Sequence, residues 1–517
     1  MKTISRLILS LMLLVVTQNS QSNTFNSLHI PLDDPMLSRI YEFTDHMLLK
    51  HPIYPFHQNQ RPYTFQNLRN LLNTLSKKKL TNLEERLVSS YLNYLDNPKS
   101  LINYKSNKSE FRLNLELGLH ATSRNMSNKS AKREYAWQIR PIVTGRISEN
   151  LSFSTDLRFY LIAGTNFSNT IRSEVEIDQA NDPTFDTAGL TPSYLQFEFP
   201  WFNLLIGKQN LSWGPGRYSN LLFSYYSVPM EMIYLKGTYS KIAFHALHAI
   251  GQSPHGNKII SAHRISFNPS LFFSIAISEV IVVASDKFDP RFLNPVTIYT
   301  ITEPSGDGYY ENDNPSNLLI GGDFSIKLSN RLLVYGEVMI DDFSPAYGLL
   351  SPLNWASKWG VLFGLHLIDF PFDISSQLEF TFVNQYAYTH KHPINAYTHM
   401  EKPIGFRMGP DSQSILIGFR KHWNENLLTS ISGEIQQKGE QDINTPRDTS
   451  KPWEEKWLYL SGTEEIRQNL RIVVDFSGHF TSKIRGTYTI SRIVNSEHKF
   501  MSRDLEQEIA LVFLYRI

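Results

Sequence analysis

The last ten residues of the chain, EIALVFLYRI at positions 508–517, decide the fold. Side chains alternate between the two faces of an extended strand, so every second residue of this stretch lies on the same face. One face carries the apolar residues Ile509, Leu511, Phe513, Tyr515 and Ile517. The other face includes Glu508, Ala510 and Arg516. This period of two predicts a β-strand that is apolar on one side.

The same alternation recurs along much of the chain. Comparable segments begin at Phe111, Phe153, Leu378 and Ile415. They follow an N-terminal stretch with the pattern of a secretion signal, in which two basic residues precede an apolar run at 7–16 and polar residues at 17–23. We therefore expect a signal peptide at 1–22 and exclude it from the fold. Alternating segments behind a signal predict an all-β, antiparallel transmembrane barrel of an outer membrane, because closure leaves no unpaired strand edge in lipid.

Composition excludes several classes of protein. The chain has no cysteine, which rules out a lipoprotein anchored through cysteine, a disulfide scaffold, a thiol enzyme and a zinc site built on thiolates. Its net charge of +1, from 50 basic and 49 acidic residues, gives no field that would attract nucleic acid. Aromatic residues make up 13% of the chain, which is consistent with girdles at two membrane interfaces. Outer-membrane lipid is therefore an expected partner, and nucleic acid is not.

Residues 28–97 have helical rather than alternating periodicity. Three segments carry one apolar face each, and Thr81 with Glu84 forms a capping box at the start of the third. The sequence thus predicts a small helical bundle at 28–97, ahead of a barrel at 108–517. The bundle is expected in the periplasm, either as a cap or plug of the barrel or as a docking site for a partner protein.

The connections between the predicted strands alternate in length. Short polar turns are predicted at 148–150, 200–202, 236–240, 268–270, 329–330, 369–371, 424–426 and 464–468. Long polar stretches are predicted at 122–132, 162–192, 210–220, 251–258, 282–317, 342–356, 385–411, 438–454 and 480–503. Eight short turns that interleave with nine long loops require eighteen strands. The short turns are expected in the periplasm and the long loops at the cell surface.

Strand parity places charged residues of both signs in the lumen. The set comprises Asp156, Arg158, Glu198, Asp323, Lys327, Glu337, Asp341, Glu379 and Arg420. A charge on the lipid face would cost about 2 to 4 kcal/mol near the midplane, so the parity is strongly enforced. Two interpretations remain, a lumen cross-braced by ion pairs and a charged conduction path.

Three loops carry residues suited to binding sugar. The first reads LSWGPGRYSN at 211–220 and holds Trp213, Arg217 and Tyr218 close together. An aromatic ring can stack on the apolar face of a sugar while neighbouring polar groups bind its hydroxyls. The alternative is a structural turn folded into the lumen, because two glycines and a proline impose a tight path.

The other two loops have similar ingredients. One is FDPRFLNP at 288–295, with Asp289 and Arg291. The other spans 384–411 and contributes the candidates Tyr386, Tyr388, His390 and Tyr397. The three histidines of this loop lack the spacing that a helix or hairpin gives to metal ligands, so we predict neither a metal nor a cofactor.

Several of these segments together resemble a known family. They are the WGPG segment at 213–216, the LNP segment at 293–295, the strand at 318–343, the loop at 386–411 and the leading helical region. Their order is similar to that of the Wzi-type capsule assembly proteins. The resemblance implies an outer-membrane barrel of eighteen strands with a periplasmic helical bundle and a plugged lumen. It also implies a lectin-like role, in which the outer face binds capsular or extracellular polysaccharide and helps to assemble and hold it on the cell.

Two other functions compete with this prediction. The chain has no nucleophile elbow, no His-Glu metal motif and no glycine-rich phosphate loop, so we do not expect an enzyme. A passive porin for small solutes or saccharides is the alternative, because barrels of sixteen to eighteen strands often enclose an aqueous pore.

Overall fold

A computed structural model describes most of the chain. The described residues are 27–53, 56–106, 109–127, 129–164, 184–187, 191–284, 290–299, 316–342, 358–446, 460–478 and 480–517. The predicted signal peptide therefore lies outside the described residues. So do most of the long stretches predicted at 162–192, 282–317 and 342–356.

Three helices form the N-terminal bundle: α1 at Ser38–Lys50, α2 at Phe65–Leu75 and α3 at Asn82–Asp96. The capping box of α3 is confirmed, since the Glu84 backbone N–H donates to the Thr81 hydroxyl at 3.3 Å and the Thr81 backbone N–H donates to the Glu84 carboxylate at 2.8 Å. The apolar faces of the three helices pack into one buried cluster. None of the helices in the described part of the chain is long and apolar enough to cross a membrane.

Eighteen antiparallel strands follow the bundle and close into a barrel. The first nine are β1 (Glu110–Met126), β2 (Lys129–Ser148), β3 (Leu151–Asp156 and Phe159–Gly164), β4 (Thr184–Thr187 and Ser193–Glu198), β5 (Phe202–Gln209), β6 (Met230–Tyr239), β7 (Ile242–Ser253), β8 (Gly256–Phe267) and β9 (Phe273–Ala284). The second nine are β10 (Ser316–Lys327), β11 (Leu332–Asp342), β12 (Lys358–Leu367), β13 (Ser375–Val383), β14 (Ser412–His422), β15 (Leu427–Lys438), β16 (Glu465–Gly478), β17 (Ser482–Val494) and β18 (Arg503–Arg516). The predicted fold class and strand number are confirmed.

The barrel closes between its last and first strands. β18 pairs with β1 from Glu506 opposite Met126 to Arg516 opposite Glu116. Beyond the end of β18, a short linker strand at Ile102–Lys105 pairs with the remaining edge of β1. The segment that connects the bundle to the barrel therefore extends the seam, so β1 has a hydrogen-bonded neighbour along this edge as well.

Most predicted connections lie where the strands end, but four are wrong. β1 runs to Met126 and β2 begins at Lys129, and β7 and β8 are likewise joined by two residues, so the long loops predicted at 122–132 and 251–258 are strand. The short turn predicted at 464–468 is the start of β16, which continues to Gly478, and β17 begins at Ser482. β17 consequently occupies much of the stretch predicted as a loop at 480–503. The predicted number of strands is still correct, because these errors displaced connections but neither added nor removed any connection.

Strand parity separates an apolar outer face from a polar lumen. In β18, Leu511 and Phe513 are about half exposed on the outer face, at 55% and 45%, whereas Leu514 and Arg516 are buried on the inner face. The lumen contains ion pairs, including Arg264 with Asp323 at 2.5 Å and Arg140 with Asp156 at 2.7 Å. These buried charges therefore agree with the first interpretation, in which ion pairs cross-brace the lumen.

The helical bundle closes the short-turn end of the barrel. Four of the short turns contact it. Lys50 pairs with Asp369 at 2.7 Å, Arg86 pairs with Glu425 at 3.0 Å, Asn268 donates to the Phe56 carbonyl at 3.3 Å, and Phe480 packs against Tyr91 and Tyr94. The bundle is thus a plug of this mouth.

A buried ion-pair network fixes the start of the bundle to the barrel seam. Arg516 donates to both oxygens of Asp34 at 2.9 Å and to Glu116 at 2.6 Å. Arg140 is 3.1 Å from Glu116, 2.7 Å from Asp156 and 3.5 Å from Asp34. Burial alone would raise the pKa of Asp34, but Arg516 and Arg140 outweigh it and lower that pKa to about 2. Asp34 is therefore a charged anchor between the bundle and the strands.

Acidification is expected to loosen the plug. Burial, followed by the charge of Lys236, lowers the pKa of His57 to about 4 and that of His29 to about 3. A solvated histidine titrates near 6.5, so the undocked bundle binds protons that the docked bundle does not. Docking is then fully stable above about pH 6.5 and loses stability as the pH falls towards 4, by about 3 kcal/mol for His57 alone.

This pH dependence can be measured with a spin label. The chain has no cysteine, so Asn73→Cys on the exposed side of α2 gives a unique attachment site. We expect the label to become more mobile between pH 7.5 and pH 5, and His57→Gln to weaken the dependence. Equal mobility at both pH values would contradict it.

Candidate functional site

Two long connections fold into the lumen instead of away from the barrel. They are the first plug loop, residues 210–229, and the second plug loop, residues 384–411. In the first plug loop, Trp213 is only 1% exposed and its ring packs edge-on against Phe223 at 4.7 Å. Residues 212–213 pair as a short strand with residues 60–61 of the bundle region. The first plug loop is thereby continuous with the plug formed by the bundle.

Glu337 of β11 holds the first plug loop in place. Its carboxylate accepts hydrogen bonds from the backbone N–H groups of Gly216 at 3.1 Å and Leu221 at 2.7 Å. Gly214 has a φ of 125°, and a Cβ there would lie 2.3 Å from a Glu337 carboxylate oxygen. Glycine is therefore required at position 214, because the positive φ favours it and because any Cβ would collide with the Glu337 carboxylate.

Arg217 joins the first plug loop to the bundle and to the wall. Its guanidinium pairs with Asp45 of α1, which also pairs with Arg61 at 2.5 Å. Its backbone N–H donates to Glu379 at 2.9 Å, and the Tyr335 hydroxyl donates to the same carboxylate at 3.0 Å. Removal of either acidic partner would leave buried donors without an acceptor.

The second plug loop is bound to the first through two tyrosines. The Tyr388 hydroxyl donates to the Leu221 carbonyl at 2.6 Å, and the Tyr397 hydroxyl donates to the Leu222 carbonyl at 2.9 Å. Burial raises the pKa of both hydroxyls, so both stay protonated as donors. The Tyr388 backbone N–H also donates to Asp341 at 2.5 Å. The two plug loops and the bundle form one packed body inside the barrel.

Among the described residues of this body, one aromatic group remains open to solvent. Tyr226 is 46% exposed, and its ring lies 4.0 Å from that of Tyr225. The Arg407 guanidinium lies 5.8 Å from the centre of the Tyr226 ring and pairs with Glu434 of β15. These four residues are called the tyrosine platform below. The platform combines an accessible ring with charged hydrogen-bonding groups, which is the arrangement that suits a sugar.

Comparison with known proteins identifies the family. The model of the capsule assembly protein Wzi family matches residues 143–504, well over half of the chain. The chain belongs to the Wzi capsule assembly family. It is accordingly an outer-membrane β-barrel of capsule assembly. A search of curated proteins gave no match to this chain.

Solved structures agree on the fold. The Wzi barrel of Escherichia coli, described as a carbohydrate-binding outer-membrane protein involved in group 1 capsule assembly, superposes with a TM-score of 0.56 at 14% identity and covers 92% of this chain and 97% of its own. A BenF-like porin from Pseudomonas fluorescens Pf-5 gives 0.46 at 8% identity, over 79% of this chain and 98% of its own. The OprD protein of Pseudomonas aeruginosa gives 0.40 at 10% identity, over 78% and 95%. The superposition on Wzi shows the barrel fold. The TM-scores of the two porin-like structures are too low to indicate a function.

The predicted sugar-binding residues of this Wzi-family barrel lie mainly inside the plug. Trp213, Tyr388 and Tyr397 are buried, so their rings are not open to a sugar in this structure. The alternative, a turn folded into the lumen, describes the first plug loop, because its polar backbone groups find acceptors on the lumen wall. Whether these residues contact polysaccharide stays a prediction.

The remaining candidates are distributed around the same body. Arg217 is paired with Asp45, Tyr218 and Tyr386 are half-buried, and His390 is buried with its ring 5.5 Å from that of His392. Asp289 and the side chain of Arg291 lie outside the described residues. The sequence prediction missed the tyrosine platform. The adjacent pair at 225–226, just after the glycine-rich turn, was the available signal.

A cluster of potential metal ligands also occurs at the short-turn end. His46, Glu84 and Asp369 offer ligand atoms within 4.8 Å of one another. The Lys50 ammonium already lies 2.7 Å from each of the two carboxylates. The cluster therefore serves as an ion-pair contact between the bundle and the β12–β13 turn.

Proposed function

We propose that this protein binds capsular or extracellular polysaccharide at the long-connection end of the barrel and helps to assemble it and hold it on the cell surface. The observation that carries the proposal is the tyrosine platform, an exposed ring beside an Arg–Glu pair on a body that fills the lumen. Family membership in capsule assembly supports the same function. A binding role needs no catalytic group, and we propose none.

The platform has the physical properties of a sugar site. The exposed face of Tyr226 can pack against the C–H face of a pyranose ring, while the Arg407–Glu434 pair offers charged donors and acceptors for hydroxyls. The first plug loop is held by hydrogen bonds to Glu337 and Glu379, and the second plug loop is bound to the first through Tyr388 and Tyr397. A rigid support lowers the entropy lost on binding.

The orientation follows from the topology of outer-membrane barrels. Both the bundle and the C-terminus lie at the short-turn end, and such barrels carry short turns in the periplasm and long loops outside. The long-connection end then faces the polysaccharide. The bundle faces the periplasm, where export machinery would meet it, and the apolar outer face contacts lipid.

Tyr226→Ala is expected to weaken binding of polysaccharide isolated from the same cells. The loss should be on the order of 1 to 3 kcal/mol, or about 5- to 150-fold in Kd, because the exposed ring supplies contact area without supporting the fold. Titration calorimetry of the purified protein would measure it. Tyr239→Ala is the matched control, since Tyr239 is 85% exposed but lies at the opposite, short-turn end. Equal affinities for wild type and Tyr226→Ala would contradict the proposal.

A further inference from the structure

A cavity of about 270 Å³ opens at the long-connection end, away from the residues predicted from sequence. Its walls are the ends of β1, β2, β16, β17 and β18 together with residues 496–497. The strand residues that line it have lumen-facing parity, because the alternate positions of the same strands are the exposed apolar ones. The cavity therefore lies inside the barrel, next to the seam. Its volume is close to the lower limit of about 300 Å³ for small-molecule sites.

The cavity is lined by planar charged groups. Glu506 is nearly buried, and its carboxylate lies 2.6 Å from the Arg124 guanidinium and 3.3 Å from that of Arg467. Arg124 and Arg467 keep about a quarter of their side-chain surface exposed. A guanidinium has five N–H donors and a carboxylate can accept several hydrogen bonds, so these pairs retain capacity for a ligand.

The charges in the cavity balance. Arg124, Lys132 and Arg467 face Glu465, Glu497 and Glu506 across the same space. A ligand carboxylate would meet three acidic side chains, and a ligand cation would meet three basic ones, so neither gains a clear electrostatic advantage. An uncharged group with many hydroxyls can instead donate to the carboxylates and accept from the guanidiniums and the ammonium.

Two apolar side chains complete the lining. Met126 lies at the end of β1, and Ile493 of β17 is directly opposite Arg467 in the β16–β17 register. An apolar wall between polar edges matches a sugar ring, whose faces carry C–H groups and whose edge carries hydroxyls.

A row of polar residues connects the cavity with the tyrosine platform. Arg471, Thr489, Glu508 and Arg124 are direct partners on β16, β17, β18 and β1, and each is exposed or half-buried. Arg471 in turn is opposite Ser432, two residues from Glu434 of the platform on β15. With neighbouring strands about 4.8 Å apart, the row from Arg471 to Arg124 spans roughly 14 Å of lumen wall.

We propose that the cavity is a subsite for one uncharged sugar residue of the polysaccharide, and that the polar row carries the chain between this subsite and the platform. The inference rests on the proposed function and adds a second contact point to it. Two subsites on one rigid wall bind a single chain more tightly than either alone, because the second contact forms within the complex.

Two variants test the subsite. Ser130→Trp places a large ring in the cavity from an exposed position that lines it, and Arg467→Gln replaces the charged guanidinium by a shorter, uncharged amide. Each should weaken binding of polysaccharide isolated from the same cells by about tenfold or more. The double variant should be little worse than either single variant, because both remove the same contact. Asn150→Trp, at an exposed turn of the opposite end, is the control.

The charge of the ligand is tested by salt. Wild-type affinity should change by less than about threefold between 0.05 and 0.5 M NaCl, because screening has little effect on an uncharged sugar. Heat-modifiable migration checks that each variant is folded. If Ser130→Trp does not fold, the binding of Arg467→Gln and the salt series still test the subsite.

The outcomes separate the subsite from the proposed function. Polysaccharide binding that is weakened by Tyr226→Ala but unaffected by both cavity variants would overturn the subsite alone. A steep loss of wild-type affinity with salt that disappears in Arg467→Gln would also overturn it, in favour of an acidic sugar. No binding by the wild type would overturn the proposed function and the subsite with it.

Discussion

Replacement of Glu337 by alanine is expected to open the lumen to ions. The Glu337 carboxylate accepts from the backbone N–H groups of Gly216 and Leu221, and both donors are buried. Each donor left without an acceptor costs about 1 to 3 kcal/mol. About 3 kcal/mol would raise the population of the displaced first plug loop by more than a hundredfold. Planar bilayer recordings should show open levels in Glu337→Ala and near silence in the wild type.

Glu337→Gln is the matched control for this result. Its amide oxygen can accept from one of the two backbone donors, so the variant should open less often than Glu337→Ala. A wild-type protein with steady open levels would contradict the plugged state and favour the porin interpretation. Silence of both variants would mean that the first plug loop does not depend on Glu337.

Replacement of Arg140 by alanine is expected to cause the largest loss of stability. Arg140 is 1% exposed and lies among Glu116, Asp156 and Asp34, all nearly buried. Its removal leaves the remaining guanidiniums, Arg158 and Arg516, to compensate the acidic groups of this network. Removal of one member of a buried ion-pair network costs about 3 to 5 kcal/mol. Urea unfolding in detergent, followed by heat-modifiable migration, should show a clearly lower midpoint.

The control for Arg140→Ala is Arg331→Ala, which removes the same side chain from an exposed position beside the β10–β11 turn. That change should alter the free energy of unfolding by less than about 0.5 kcal/mol. Equal unfolding midpoints for Arg140→Ala and wild type would show that the network does not stabilise the barrel.

The strand number could be predicted from the sequence because lipid enforces the alternation. Where a strand leaves the membrane, that constraint ends while the hydrogen bonding continues. Lys129–Ser148 shows this, since the polar start of β2 continues the hairpin with β1 although it was predicted as loop. The helical bundle could be predicted for a similar reason, as its apolar periodicity and capping box are local signals.

The candidate site could be predicted only in part. The glycine-rich turn at 213–216 was recognised, but its burial depends on Glu337 and Asn59, which are distant in the sequence. The tyrosine platform depends in the same way on Arg407 and Glu434 meeting Tyr226 in the lumen. Local composition indicates which residues could bind a sugar, and the tertiary contacts decide which of them are accessible.

The most direct test of polysaccharide retention is to measure surface polysaccharide in a deletion strain, with cell-bound and shed fractions quantified separately. If the protein anchors polysaccharide at the surface, the deletion strain should make a similar total amount of polymer but shed most of it. The wild-type gene should then restore retention on the cell. Unchanged retention in the deletion strain would contradict the account, and altered uptake of small solutes alongside it would favour a channel.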